Sequence, residues 1–128
     1  MKIILKIFVM FMLASLPLIS VASPDCPYAF LIKTKTLSQA TQLTRDRWNL
    51  LSDSFMYNNR SWNIIFITEI ASAKNNHDAL LKGNDNFRHT DITNDDPVPQ
   101  NSDGMSYCNY TSMTGKNRIA AASFVQDG

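Results

Sequence analysis

Ser61–Thr68, SWNIIFIT, is the stretch whose reading decides the fold. Tryptophan, isoleucine, phenylalanine and threonine all favour strands, and the run has the length of a strand rather than of a helix. Its apolar residues, Trp62, Ile64, Ile65, Phe66 and Ile67, are nearly continuous. That pattern predicts a strand covered on both faces and lying at the centre of a sheet.

Working upstream, Leu37, Ala40, Leu43, Trp48, Leu51 and Phe55 approximate a helical stripe. The spacing predicts a helix over 37–55, capped by Thr36 or Ser38 and stopped at Asn58-Asn59. The many Thr and Ser residues leave a pair of strands over the same residues as the alternative. Earlier still, Tyr28–Lys33, YAFLIK, reads as a short strand entering the core directly after Cys26-Pro27.

Downstream, Glu69–Lys82 reads as a short helix with Ile70, Ala73, His77 and Leu80 or Leu81 on one face, and Gly83 stands where it would end. Between Gly83 and Gly104 the chain turns to Asn, Asp, Pro and Thr, the chemistry of a polar loop. Met105–Met113 and Arg118–Val125 then form a terminal hairpin around Thr114-Gly115-Lys116-Asn117, with Cys108, Tyr110 and Ser112 on one face. The expected fold is α+β: one small domain, an antiparallel sheet with one or two helices, and one disulfide.

Residues 1–22, MKIILKIFVMFMLASLPLISVA, have the build of a signal peptide: a basic start at Lys2 and Lys6, an apolar core and a small-residue site ending at Ala22. Cleavage there leaves 23–128 as a single exported domain, in the periplasm or secreted. Ser23, Pro24 and Asp25 separate the site from Cys26, which argues against lipidation. Export turns Cys26 and Cys108, the only 2 cysteines, into an expected disulfide. Closing a loop of that length stabilises by about 4.5 kcal/mol in the chain-entropy model.

The leader holds two of the 12 basic and none of the 11 acidic residues, so the exported part has a formal charge of −1. No dense basic stretch tracks a nucleic acid, and no stable membrane insertion is expected after cleavage. A protein partner is the expected target.

No catalytic motif stands out. His77 and His89 are the only 2 histidines, serines are too numerous to nominate one, and the nucleophile-elbow, Walker, dinucleotide and zinc patterns are absent. No cofactor and no metal site are expected, and the reading is non-enzymatic. A hydrolase using His89, Asp91 and a serine is the enzymatic alternative. For contact with a partner the candidates are Tyr57 with its neighbour Arg60, and the acidic residues Asp95 and Asp96. An acidic stretch of Asp91, Asp95, Asp96 and Asp103 would also suit a periplasmic inhibitor of a basic enzyme such as lysozyme.

Cys26-Pro27 just after the cleavage site, Trp62 ahead of an apolar strand and Cys108-Asn109-Tyr110 opening the last hairpin resemble the small two-cysteine exported proteins of Legionella- and Coxiella-type bacteria grouped around EirA. The resemblance implies a periplasmic accessory that supports a type IV secretion apparatus through protein contacts. It carries over no catalytic residue.

Overall fold

The computed structural model describes residues 25–93, 97–112 and 117–124. The signal-peptide reading of residues 1–22, Asp95, Asp96 and most of the expected terminal turn lie outside them. The elements are α1 (Ala29–Lys33), β1 (Leu37–Gln42), β2 (Arg47–Ser52), β3 (Phe55–Tyr57), β4 (Arg60–Glu69), α2 (Asn76–Arg88), β5 (Gln100–Ser102), β6 (Met105–Tyr110) and β7 (Arg118–Phe124). One antiparallel sheet runs β1-β2-β4-β7-β6-β5, with β3 on the same edge of β4 as β2. A small α+β domain closed by one disulfide is the result.

β4 is central, hydrogen-bonded to β2 and β3 on one edge and to β7 on the other. Its burial alternates, however. Trp62, Ile64, Phe66 and Thr68 are fully buried while Ile65 and Ile67 are half-buried on the opposite face. Among the described residues the helices cover only the first face. On the second, Ile65 sits in register between Leu51 and Ala120, and Ile67 between Asn49 and Arg118, so lateral neighbours supply the shielding that a second layer would give.

The helix expected over 37–55 is not formed; the alternative pair of strands, β1 and β2, is. In β2 every second residue, Trp48, Leu50 and Ser52, is buried, the period of a strand facing one layer. Pairing with β4 overrides the imperfect helical stripe. Between β2 and β3, Ser52, Asp53 and Ser54 stand opposite only Asn63 and Ile64, a bulge. Ser52 repairs the ladder there: its Oγ accepts from the Ile64 N–H at 2.8 Å, and its carbonyl accepts from Asn63 Nδ2 at 3.1 Å. Asn58 and Asn59, expected as a helix stop, instead make the β3–β4 turn with φ of 53 and 63. Two successive left-handed residues are what a tight hairpin of the primed type requires.

Tyr28–Lys33 is not a strand either; it contains α1. Ala29 and Ile32, three apart, are buried in the core cluster that also holds Cys108 and Tyr110. Crossing the sheet face rather than joining an edge, the segment must satisfy its own backbone. It does so with Ile32 N–H to Tyr28, Thr34 N–H to Leu31 and Lys35 N–H to Ile32, each at 3.1 Å.

The second helix starts later and runs further than expected. Asn75, inside the stretch expected to be helical from Glu69, is the N-cap: its side chain accepts from Asp78 N–H at 2.8 Å. Gly83 lies inside the helix, where the absence of a side chain lets α2 rest on Leu50. At its far end Phe87 meets Phe66 edge-on, ring centroids 5.1 Å apart. Residues 83–88 of the expected polar loop are thus helical, and Gln100–Ser102 pair with β6.

The terminal hairpin forms as expected. Ser106, Cys108 and Tyr110 of β6 point into the core, and Ile119, Ala121 and Ser123 of β7 join them. Cys26 and Cys108 are disulfide-bonded, with Cα atoms 5.8 Å apart. The bond ties the last hairpin to the approach of α1 rather than to a first strand.

Candidate contact surface

Tethers along its length fix the segment Asp25–Lys33, and together they display its aromatic rings. Cys26 is bonded to Cys108, and the Tyr110 hydroxyl donates to the Pro27 carbonyl. Burial of Ala29 and Ile32 fixes the roll of α1. At its end the Lys33 ammonium donates to the carbonyls of Phe87 and Thr90, capping α2, and lies 4.8 Å from the Phe87 ring centre. Burial lowers the Lys33 pKa, and the nearby Asp91 carboxylate opposes that shift only in part.

With Ala29 and Ile32 turned inward, Tyr28 and Phe30 are turned out, 55% and 72% exposed. Their rings are nearly parallel, at 12° with centroids 5.8 Å apart. Tyr28 also meets the Tyr57 ring edge-on at 5.7 Å and 82°. Phe30, Tyr28 and Tyr57 therefore form one aromatic ladder from α1 to the β3–β4 hairpin. Exposed aromatic side chains grouped in this way are characteristic of contact sites rather than of an inert surface.

Cations flank it. The Lys35 ammonium lies 4.8 Å from the Phe55 ring centre, and the Arg60 guanidinium 5.8 Å from that of Trp62. Arg60 faces Tyr57 across the hairpin and also donates to the Phe124 carbonyl at 3.2 Å. The two residues named from the sequence, Tyr57 and Arg60, are thus brought together as cross-strand partners, with Tyr57 in the ladder and Arg60 beside it. Tyr28 and Phe30 escaped the sequence reading because a strand was expected there. Ala29 and Ile32, apolar at a spacing of three, were the available sign of a helix.

Of the acidic candidates, the two among the described residues, Asp91 and Asp103, lie apart. Asp91 follows α2, next to the bridge between Ile92 and Ser112 beyond the end of β6, whereas Asp103 sits in the β5–β6 turn before its start. A six-residue strand separates them, roughly 20 Å at about 3.4 Å per residue.

The His89 side chain is 77% exposed, its Nδ1 sits 2.8 Å from the Asp85 carbonyl oxygen, and it lines neither the cavity on the sheet face nor the one beside α2. One cavity, of about 480 Å³, lies along the second sheet face by Ile65, Ile67, Tyr107, Asn109 and Ala120. The other lies beside α2, where Lys82 already bonds Asp78 and Ser72. No group of three or more metal-ligating side chains occurs among the described residues. Among them, too, no helix is long and apolar enough to cross a membrane.

No protein-family model, curated protein or solved structure matches this chain. The aromatic ladder is accordingly read from its own geometry.

Proposed function

We propose that this chain is an exported, non-enzymatic accessory that acts by protein contact, with the Phe30–Tyr28–Tyr57 ladder as its docking surface. The observation that carries the reading is the exposure of Phe30 and Tyr28 in a fixed, ordered stack. Rings already held in place lose little freedom when a partner covers them, which is how aromatic anchors give affinity at low entropic cost. Lys35 and Arg60 at the rim favour a partner with an apolar centre and acidic surroundings.

Residues 1–22 would deliver the chain to the envelope, and an exported setting agrees with the disulfide. Support of a secretion apparatus is the role suggested by the resemblance to the EirA group. The test is site-specific photo-crosslinking in intact envelopes, with a photoreactive residue replacing Phe30 and, as control, the exposed His77 on α2. Protein adducts from position 30 and none from position 77 are expected. Equal labelling at both, or no adduct at position 30, overturns the proposal.

A further inference from the structure

We propose that the Cys26–Cys108 disulfide is a redox latch for the aromatic ladder: its reduction releases Asp25–Lys33 from the domain while the sheet stays folded. The inference rests on the contact reading only for its consequence, since release would carry Tyr28 and Phe30 away from Tyr57.

The latch follows from how unevenly the domain is held. β4, its neighbours β2 and β7, and β6 beyond β7 share continuous backbone ladders, and none of those hydrogen bonds involves residues 25–33. The N-terminal segment has no place in the sheet. Among the described residues its backbone-to-backbone bonds are internal to α1 and the turn after it, and α1 has no side-chain N-cap. Five residues of helix do not persist alone in water, so the segment keeps its shape only while it is pressed to the core. Of its tethers, the disulfide alone is covalent. The others are the Tyr110–Pro27 hydrogen bond, the Lys33 cap on α2, the Tyr28–Tyr57 contact and the burial of Ala29 and Ile32.

The chemistry is thiol–disulfide exchange with a dithiol. A reductant thiolate attacks Cys26 Sγ, since Cys26 retains some exposure and Cys108 has none. The sulfur–sulfur bond breaks, Cys108 leaves as thiolate and takes up a proton, and the reductant's second thiol resolves the mixed disulfide. The products are two protein thiols and one oxidised dithiol, so two electrons and two protons have passed to the protein. Oxidation by a disulfide-donating partner reverses the sequence and seats the ladder again.

Hydrogen exchange followed by mass spectrometry on the full exported chain, with and without dithiothreitol, tests the latch. Thiol alkylation reports the extent of reduction, and a Cys26→Ser, Cys108→Ser double variant gives the same reading should the bond resist. Amides of Ile32, Thr34 and Lys35 are expected to lose protection by about tenfold or more, while those of Ile64–Thr68 in β4 keep theirs. Loss at both places means global unfolding and overturns the proposal; retention at both overturns it as well. Because this readout needs no partner, it stands or falls separately from the crosslinking test at position 30.

Discussion

The carboxamide of Asn84 takes the place of a neighbouring strand at Leu37: its Oδ1 accepts the Leu37 N–H at 2.8 Å and its Nδ2 donates to the Leu37 carbonyl at 2.9 Å. β1 is an edge of the sheet, and unpaired backbone at an edge invites pairing with another chain. At Leu37, which is buried, the side chain from α2 closes that edge.

Asn84→Ala strands both backbone groups where water does not reach. The expected cost is about 1–3 kcal/mol, read as a lower urea midpoint with an unchanged slope. Concentration-dependent association in sedimentation should accompany it. A variant as stable and as monomeric as the parent would contradict the edge-closing role.

Gly83→Ala should destabilise even though alanine is worth about 1 kcal/mol in a helix interior. The added Cβ would stand 2.1 Å from Leu50 Cδ2, and Leu50 is completely buried. Overpacking of this kind costs about 1–3 kcal/mol. Leu50→Ala is itself expected to lose about 2–5 kcal/mol, but in that background Gly83→Ala should become neutral or stabilising. Additivity of the two effects in thermal unfolding would show that the contact does not exist.

Tyr110 sets an alkaline limit. Burial, with the nearby Tyr57 adding to it, raises the phenol far above its ordinary pKa of about 10. The folded state therefore holds this proton more tightly than the unfolded chain, and its contribution is complete below pH ~10 and lost as pH climbs beyond it. Lys33, lowered by burial, has the opposite sign in that window: the unfolded chain binds its proton more tightly, so this contribution grows with pH. The difference between parent and Tyr110→Phe isolates the tyrosine. About 1–3 kcal/mol should be lost at pH 7, with the gap narrowing above pH ~10. A gap that is constant with pH would rule out the assignment.

Asp78 works at the other end of the scale. The Lys74 N–H, bonded to its Oδ2 at 2.9 Å, lowers its pKa, and Lys82 at 3.0 Å adds to the effect. A carboxylate lowered on folding contributes stability above its ordinary pKa of about 3.9, lost as pH falls through the folded value. Asp78→Asn should flatten this part of the acid limb in circular dichroism titrations. Asn75→Ala, which removes the N-cap of the same helix, should cost about 1 kcal/mol at pH 7 and leave the Asp78 titration in place.

Much of the fold was legible locally. SWNIIFIT announces a central strand because β-branched and aromatic residues gather in it, and the terminal pair Met105–Met113 and Arg118–Val125 announces a hairpin by alternation around turn residues. Tyr57 and Arg60 were legible as neighbours for the same reason, since Asn58-Asn59 is a turn whichever element precedes it. The errors share a cause. Leu37–Phe55 has a pattern that both a helix and two strands tolerate, and only the edge of β4 at Ile65–Glu69 selects the strands. Gly83 looked like a helix end, yet the buried Leu50 side chain gives a glycine a reason to lie within one.

Composition and local pattern by themselves determined a small two-cysteine α+β chain with SWNIIFIT at the centre of its sheet, because strand preference and hydrophobic alternation act over a few residues. Tertiary structure alone decided that Tyr28–Lys33 coils across the sheet face rather than joining an edge, and so turns Tyr28 and Phe30 outward beside Tyr57. That choice depends on Cys108, Tyr110 and the carbonyl of Phe87, all more than fifty residues away along the chain. The free energy of such contacts is written in no window of the sequence.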